Sequence, residues 1–297
     1  MHLRDVTAGQ CKQALARASH DVVKNPTFQA AAALSYYSIL CIFPALILLS
    51  AVMAYIPVPG FFADALAAMA RVVPRGTMPM VYSVLIGALG PNLRAWLSFG
   101  TVGTLWVVSS AFDEMIDALD TAYDVTEPRA MWKARLLAVG LAFVVGLVMM
   151  GAVATMIVGS HMGTWLANRM FLSGEFLLFW AIIHWILGAG FAVFAVQLIY
   201  FLAPNVKQRF LSTLPGAVLA VAGWMGLSGL LGIYFRYFEN YNRLYGTLGG
   251  VMALMTWLYW GYFVFLAGGE LNAELAKAGL AGLQPKDKRA DSRDRAA

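Results

Sequence analysis

An all-α fold is predicted for this chain: a polytopic membrane bundle of six transmembrane helices with amphipathic interfacial helices and both termini in the cytoplasm. Three observations carry that expectation. The chain is 60% hydrophobic and only 12% charged, whereas soluble domains are nearer half apolar and a quarter charged. Its charges cluster between long apolar runs instead of alternating with them. And 15 of the 21 Lys and Arg fall on one side when the runs are threaded alternately through a bilayer, which by the positive-inside rule makes that side, with both termini, cytoplasmic. The net charge of +5 reads as this topological bias and not as a nucleic-acid footprint.

The expected spans are Gln29–Tyr55, Arg94–Phe112, Ala134–Gly159, Phe176–Leu202, Phe210–Phe235 and Tyr245–Leu271. Each has enough apolar residues to cross a hydrocarbon core of roughly 30 Å at about 1.5 Å per residue. Helices are expected because a helix satisfies its own backbone groups in lipid. Ahead of the first span, an amphipathic helix from about Thr7 to Val23 is expected to lie on the inner leaflet. Asn25-Pro26 would end it, since a residue before proline avoids the helical region. In the outside loop Pro57 to Leu93, the helical spacing of Phe61, Phe62, Ala65, Leu66, Met69, Val72 and Val73 predicts a short interfacial helix. Met78–Leu89 reads either as a re-entrant piece or as an extension of the second span. After the second span, Asp113, Asp117, Asp120 and Asp124 share one helical stripe and Phe112, Met115, Ile116, Leu119 and Tyr123 another. The plain reading is a solvated acidic face; the functional one is the wall of a vestibule or a docking face. The membrane domain is taken as residues 1–285, with 286–297 a disordered tail.

Polar groups inside the spans are the candidates for function. Tyr36 and Tyr37 lie about nine residues beyond Thr27, or ~14 Å of helix, near mid-membrane. Buried tyrosines need a partner for the hydroxyl. Pro44 cannot donate to the carbonyl of Leu40, so a kink is expected there. The fourth span holds His184 and Gln197, for which interhelical bonding is the plain role. In the fifth, Gly223, Gly226, Gly229 and Gly232 repeat every three residues and read as a seam for close helix packing. In the sixth, Glu270 lies 22 residues beyond Leu248, about 33 Å of helix, which carries it past the hydrocarbon to the cytoplasmic rim. Glu270 and Glu274 share a face, and Lys277 is placed to neutralise Glu274. A snorkelling, capped helix end is one reading; an inward-facing polar site built with Gln29, Gln197 or Asn205 is the other. Arg129, Lys133 and Arg135 sit at headgroup level, either as topological anchors or as phosphate contacts.

Several classes of function find no support. Cys11 and Cys41 form no CxxC, and the four histidines, His2, His20, His161 and His184, are scattered. No GxxxxGK[ST] loop occurs, so no nucleotide-driven step is expected within the chain, and no cofactor or resident metal is expected. The N-terminus is polar and basic, so no cleaved signal peptide is expected.

Two of the spans resemble the signatures of a known family. Ala31-Ala-Ala-Leu-Ser-Tyr36-Tyr37-Ser-Ile-Leu-Cys41-Ile-Phe43-Pro44 resembles the AxxLxYYxLxSxFP motif of the BrkB/YihY family, with Cys41 in place of its small hydroxyl residue. Tyr245-Gly-Thr-Leu-Gly249-Gly250 through Gly269-Glu270-Leu-Asn272-Ala-Glu274 resembles that family's YGSLGGVxxLLxWLY…GAELNAE ending, with Gly268-Gly269 for Gly-Ala. Leu105-Trp106 to Tyr123-Asp124-Val125 resembles a third motif, with Asp124 where glycine is common. The resemblance implies a six-helix bacterial inner-membrane protein. Members are associated with envelope integrity, serum resistance and transport of lipid or lipopolysaccharide precursors, and some carry an old "ribonuclease BN" label. The expectation for this chain is a non-enzymatic membrane protein that takes part in moving a lipid or other amphipathic envelope component. Tyr36, Tyr37, Gln197, Glu270, Asn272 and Glu274 are its path candidates, and Arg129, Lys133 and Arg135 its headgroup contacts. Membrane lipid is the expected partner, with an envelope-assembly protein or a homo-oligomer beside it, and no nucleic acid. The alternative is a non-transporting scaffold; a membrane-associated ribonuclease ranks last, because it needs grouped metal ligands and the acidic stripe would repel RNA.

Overall fold

Every regular element among the described residues is helical. The structure, a computed structural model, describes residues 8–53, 78–79, 82–83, 93–125, 130–170, 174–237 and 241–277. Seven α-helices follow in chain order: α1 Ala8–Lys24, α2 Thr27–Met53, α3 Leu93–Ala122, α4 Met131–Met170, α5 Gly174–Leu202, α6 Leu214–Tyr237 and α7 Tyr241–Lys277, with a 3-10 turn at Phe210–Thr213 before α6. The expected interfacial helix at 61–73, most of Met78–Leu89, and the tail 286–297 lie outside the described residues.

Among the described residues, four stretches are long and apolar enough to cross a membrane: Trp132–Thr155, Phe179–Leu202, Phe210–Ile233 and Val251–Lys277. The most apolar, Trp132–Thr155, has a mean hydropathy of 2.6 yet is only 11% buried within the fold. Phe143, Met150, Trp165, Phe179, Ile186 and Leu230 all point outward. Such a surface is the reverse of a water-facing one, and lipid is the solvent that covers it. The other two expected spans are helices too. α2 is continuous through Pro44. α3 runs thirty residues without a break, so the second span and the acidic helix after it form one rod.

The helices close into two compact units. The first takes the described residues of Met1–Phe28, Met115–Ala222 and Val264–Ala297; the second takes those of Gln29–Glu114 and Gly223–Phe263. In the first, α4 and α5 pack antiparallel. Gly151 faces Phe191, Gly159 faces His184, and Gly163 is filled by the Trp180 indole, whose Nε1–H donates to the Gly159 carbonyl at 2.6 Å. A Cβ on Gly163 would overlap that ring. The small residues four apart at Gly159 and Gly163 therefore form the close seam of this pair. His184 Nδ1 lies 2.9 Å from the Trp180 carbonyl, so this histidine is hydrogen-bonded to its own helix.

In the second unit, Gly103 of α3 lies against Pro44 of α2. The Ser38 and Tyr262 hydroxyls are 2.6 Å apart. α6 meets α7 through Trp224 and Ser228: the Trp224 and Trp257 ring centroids are 5.3 Å apart, and Trp257 Nε1–H donates to Ser228 Oγ at 3.0 Å. The expected glycine seam of α6 is corrected here. For three of its four members, Gly226, Gly229 and Gly232, an added Cβ would meet nothing within 4 Å among the described residues, because the contact face of α6 belongs to Trp224 and Ser228.

Candidate functional site: a polar hub at the end of α7

The last turns of α7 read Gly268-Gly-Glu-Leu-Asn-Ala-Glu-Leu-Ala-Lys277, and most of them are buried, with Lys277 exposed at the end. Glu270 and Asn272 are each 1% exposed and Glu274 is 5% exposed. Three neighbouring helices, α3, α5 and α6, come close enough to bury them because glycines remove the obstacles. A Cβ on Gly268 would sit 2.6 Å from the Gly216 carbonyl oxygen and 2.6 Å from the Tyr200 hydroxyl. One on Gly269 would sit 2.6 Å from Leu119 Cδ2. The Tyr200 hydroxyl donates to the Phe265 carbonyl, using a donor that would otherwise be stranded in an apolar core.

Each of the three polar side chains holds a different segment. Asn272 holds the start of α6. Gly216 N–H donates to Asn272 Oδ1 at 2.8 Å, and Asn272 Nδ2 donates to the Thr213 carbonyl at 3.0 Å. The first turn of a helix has backbone N–H groups with no partner of their own, and in a buried setting they need one. Pro215, also in that turn, lacks an N–H and needs none. Gln197 reinforces the same turn: its Nε2 donates to the Phe210 carbonyl at 3.0 Å, and Thr213 Oγ1 donates to that carbonyl at 2.8 Å.

Glu270 holds the junction of α1 and α2. Asn25 Nδ2 donates to Glu270 Oε1 at 2.7 Å. Oε2 is buried and, among the described residues, accepts no hydrogen bond. Glu274, on the same face one turn later, holds the end of α3 through a cation. Lys277 Nζ is 3.1 Å from Glu274 Oε1 and 2.6 Å from Asp124 Oδ2. Asp124 ends α3 in the left-handed region at φ 53, with Val125 N–H donating to the Asp120 carbonyl and Asp124 N–H to that of Thr121. That pattern is a Schellman ending, whose left-handed position is normally glycine.

Around the hub, Asn205 N–H donates to Asp120 Oδ1 at 2.8 Å, and Tyr123 OH donates to Gln208 Oε1 at 3.1 Å. Burial pushes the Tyr123 phenol well up, so it stays a neutral donor. Ala122, Tyr123, Ala273 and Ala276 pack together beneath these bonds with Val125 and Val206.

Several sequence expectations change on this geometry. Glu270 does not snorkel; it is enclosed, because the α1–α2 junction folds onto it through Asn25. Within its unit the bond is to Asn25, while Gln197 bonds the Phe210 carbonyl and Asn205 N–H bonds Asp120. The acidic stripe is not one solvated face: Asp117 and Asp124 are exposed, but Asp120 is 3% exposed and bonded. Tyr36 and Tyr37 belong to the second unit, their ring centroids 6.1 Å apart, with Tyr36 54% exposed. Lys133 is exposed, its Nζ 5.4 Å from the Trp132 ring. Arg135 is half-buried, and Arg129 lies outside the described residues. Asn25 is read from sequence only as a helix stop, and Gln208 and Tyr200 carry no sequence signal that marks them. Among the described residues, no three His, Cys, Asp or Glu side chains gather as a metal site.

Long apolar helices with outward-facing side chains define a multi-pass helical membrane protein, and a buried polar hub joins α3, α5, α6 and α7 within one unit of it. Over residues 18–293 the chain matches the family described as Virulence factor BrkB, and it belongs to that family. Among curated proteins it is similar to the ribonuclease-like protein YfkH of Bacillus subtilis (strain 168), at 32% identity over 197 residues, 66% of this chain and 71% of that protein. No solved structure matches the chain.

Proposed function

We propose that this protein takes part in moving a lipid or other amphipathic envelope component across the bacterial inner membrane. The observation that supports the reading is the hub. Glu270, Asn272, Glu274, Gln197 and Asp120 are buried together in one unit of a chain whose long helices expose many large apolar side chains. Ionisable groups inside a membrane bundle are expensive and mark substrate or ion pathways more often than structural ones. The chain carries no nucleotide-binding loop, so the movement is secondary, passive or driven by a partner. The test is lipid translocation in proteoliposomes containing the purified full chain. Combining Glu270→Ala with Tyr37→Phe is expected to lower flux at least several-fold; unchanged flux overturns these residues as part of the path.

A second reading, a non-transporting scaffold for envelope assembly, draws on the closed packing of the same hub, in which Glu270 and Asn272 are enclosed. It expects protein crosslinks from the loop 57–93 or the acidic end of α3, and no substrate-dependent flux. The ribonuclease-like name of YfkH supplies a third; RNA cleavage by the purified chain, lost on chelation, would carry it.

A further inference from the structure

Glu270 has a bonding pattern that the structural role of the hub does not require. Oε1 accepts from Asn25 at 2.7 Å, while Oε2 is buried and, among the described residues, accepts nothing. The charged groups that face it offer little help. Asp21 of α1 and Asp124 at the end of α3 are acids, and Glu274 follows one turn along α7. Lys277, three residues beyond Glu274 on the same helix, is the cation that acts on Glu270, and its ammonium is already shared between Asp124 at 2.6 Å and Glu274 at 3.1 Å. Tyr200, from α5, spends its hydroxyl on the Phe265 carbonyl. An ionised carboxylate with one bare oxygen, out of water and near further acids, is the least favourable species for this place. A proton on Oε2 removes the charge and leaves the Asn25 bond intact, since a protonated carboxyl still accepts through its other oxygen.

We propose that Glu270 is a proton-exchanging site, protonated on Oε2 while Asn25 holds Oε1 and deprotonated when that bond opens. The step balances simply: the O–H bond of the carboxyl breaks, the proton passes to water, and the carboxylate keeps the electron pair. Once ionised, the group needs donors on both oxygens, which Asn25 alone cannot supply. Deprotonation therefore favours opening of the contact between the α1–α2 junction and the end of α7. If lipid movement is driven, this exchange couples it to a proton gradient; that coupling rests on the transport reading above, and the exchange itself does not.

Infrared difference spectroscopy of the full chain in lipid nanodiscs, titrated from about pH 5 to pH 9, reads the site directly. A protonated-carboxyl C=O band is expected to fade as pH rises and to be absent in Glu270→Gln. In Asn25→Leu, which keeps the carboxyl and removes its donor, the band is expected at higher frequency. A spectrum without the band, or a band that survives Glu270→Gln, overturns the proposal. Should Glu270→Gln fail to fold, the Asn25→Leu shift decides alone, and an unshifted band is fatal. Proteoliposome flux under an imposed pH gradient separates the two readings: flux without the band removes the proton site and leaves transport, and the band without flux does the reverse.

Discussion

The two ends of α6 carry the same residue and use it in opposite ways. In its first turn, Gly216 lets the backbone of α7 approach until the Gly268 carbonyl and the Asn272 amide occupy the space where a side chain would go. Further along, Gly226, Gly229 and Gly232 have nothing within 4 Å of where a Cβ would be. Periodicity marks the second set, yet it is the isolated Gly216 that carries a close contact. Spacing shows which residues share a face; it does not show whether a partner is there.

The comparison breaks most sharply at Gly216. Valine there would collide with backbone, which cannot rotate away as a side-chain tip can. A loss of about 3 kcal/mol or more is expected, at or beyond the upper end for overpacked sites. It should appear as loss of folded protein in detergent or a large fall in thermal midpoint. A midpoint near that of the parent chain would show that α6 and α7 are not pressed together here.

Asn272→Leu sharpens the same end by keeping the volume and removing the bonds. It strands Gly216 N–H and the Thr213 carbonyl together, in a place where water does not reach them. The expected loss is about 2 kcal/mol, since a buried polar group left unpaired bears its full desolvation penalty. Thermal midpoints of Asn272→Leu, Gln197→Leu and the double variant should be non-additive, because both side chains clamp the turn Phe210–Thr213.

How far these contacts were legible in sequence depended on their range. The helices were, since an apolar run satisfies its backbone locally. The Lys277–Glu274 pair was also legible, because a spacing of three is a local property. Asp124 was half-legible: glycine is common at that position in the family it resembles, and the left-handed φ of 53 gives the reason. The enclosure of Glu270 was not legible because rise per residue measures depth along one helix only, not what folds onto it. Its enclosure comes from Asn25, 245 residues away, which no local pattern announces. Gly159 and Gly163 have the spacing of a seam, but spacing alone favours the longer glycine series of α6, whose Gly226, Gly229 and Gly232 meet nothing among the described residues. Hydropathy also divided α3 where its charges begin, although a helix has no reason to stop at a change of solvent.

Asp124 gives a smaller effect with a sign that depends on the replacement. Alanine keeps the strained left-handed backbone and loses the ion pair with Lys277, so about 1 kcal/mol of destabilisation is expected. Glycine relieves the backbone while losing the same pair, which is largely exposed on the Asp124 side and worth well under about 1 kcal/mol. Asp124→Gly should therefore equal or exceed the parent chain in thermal midpoint, and Asp124→Ala should fall below it. Equal losses in the two variants would mean that the ion pair, and not the backbone, governs this corner.

The smallest effect is expected at the far end of α6, and its sign tests the comparison itself. Alanine in a helix interior is favoured over glycine by about 0.5–1 kcal/mol, because glycine loses more backbone freedom on folding. With nothing within 4 Å to obstruct a Cβ, Gly226→Ala and Gly229→Ala should each raise stability slightly. Unfolding in detergent under dilute conditions reads the isolated chain, and the same measurement at high protein density in a bilayer reads the chain among its copies. A gain in both settings leaves these glycines facing lipid. A gain in detergent that becomes a loss in the crowded bilayer would mean that the face packs against something outside the chain, and that the two ends of α6 differ only in where their partner comes from.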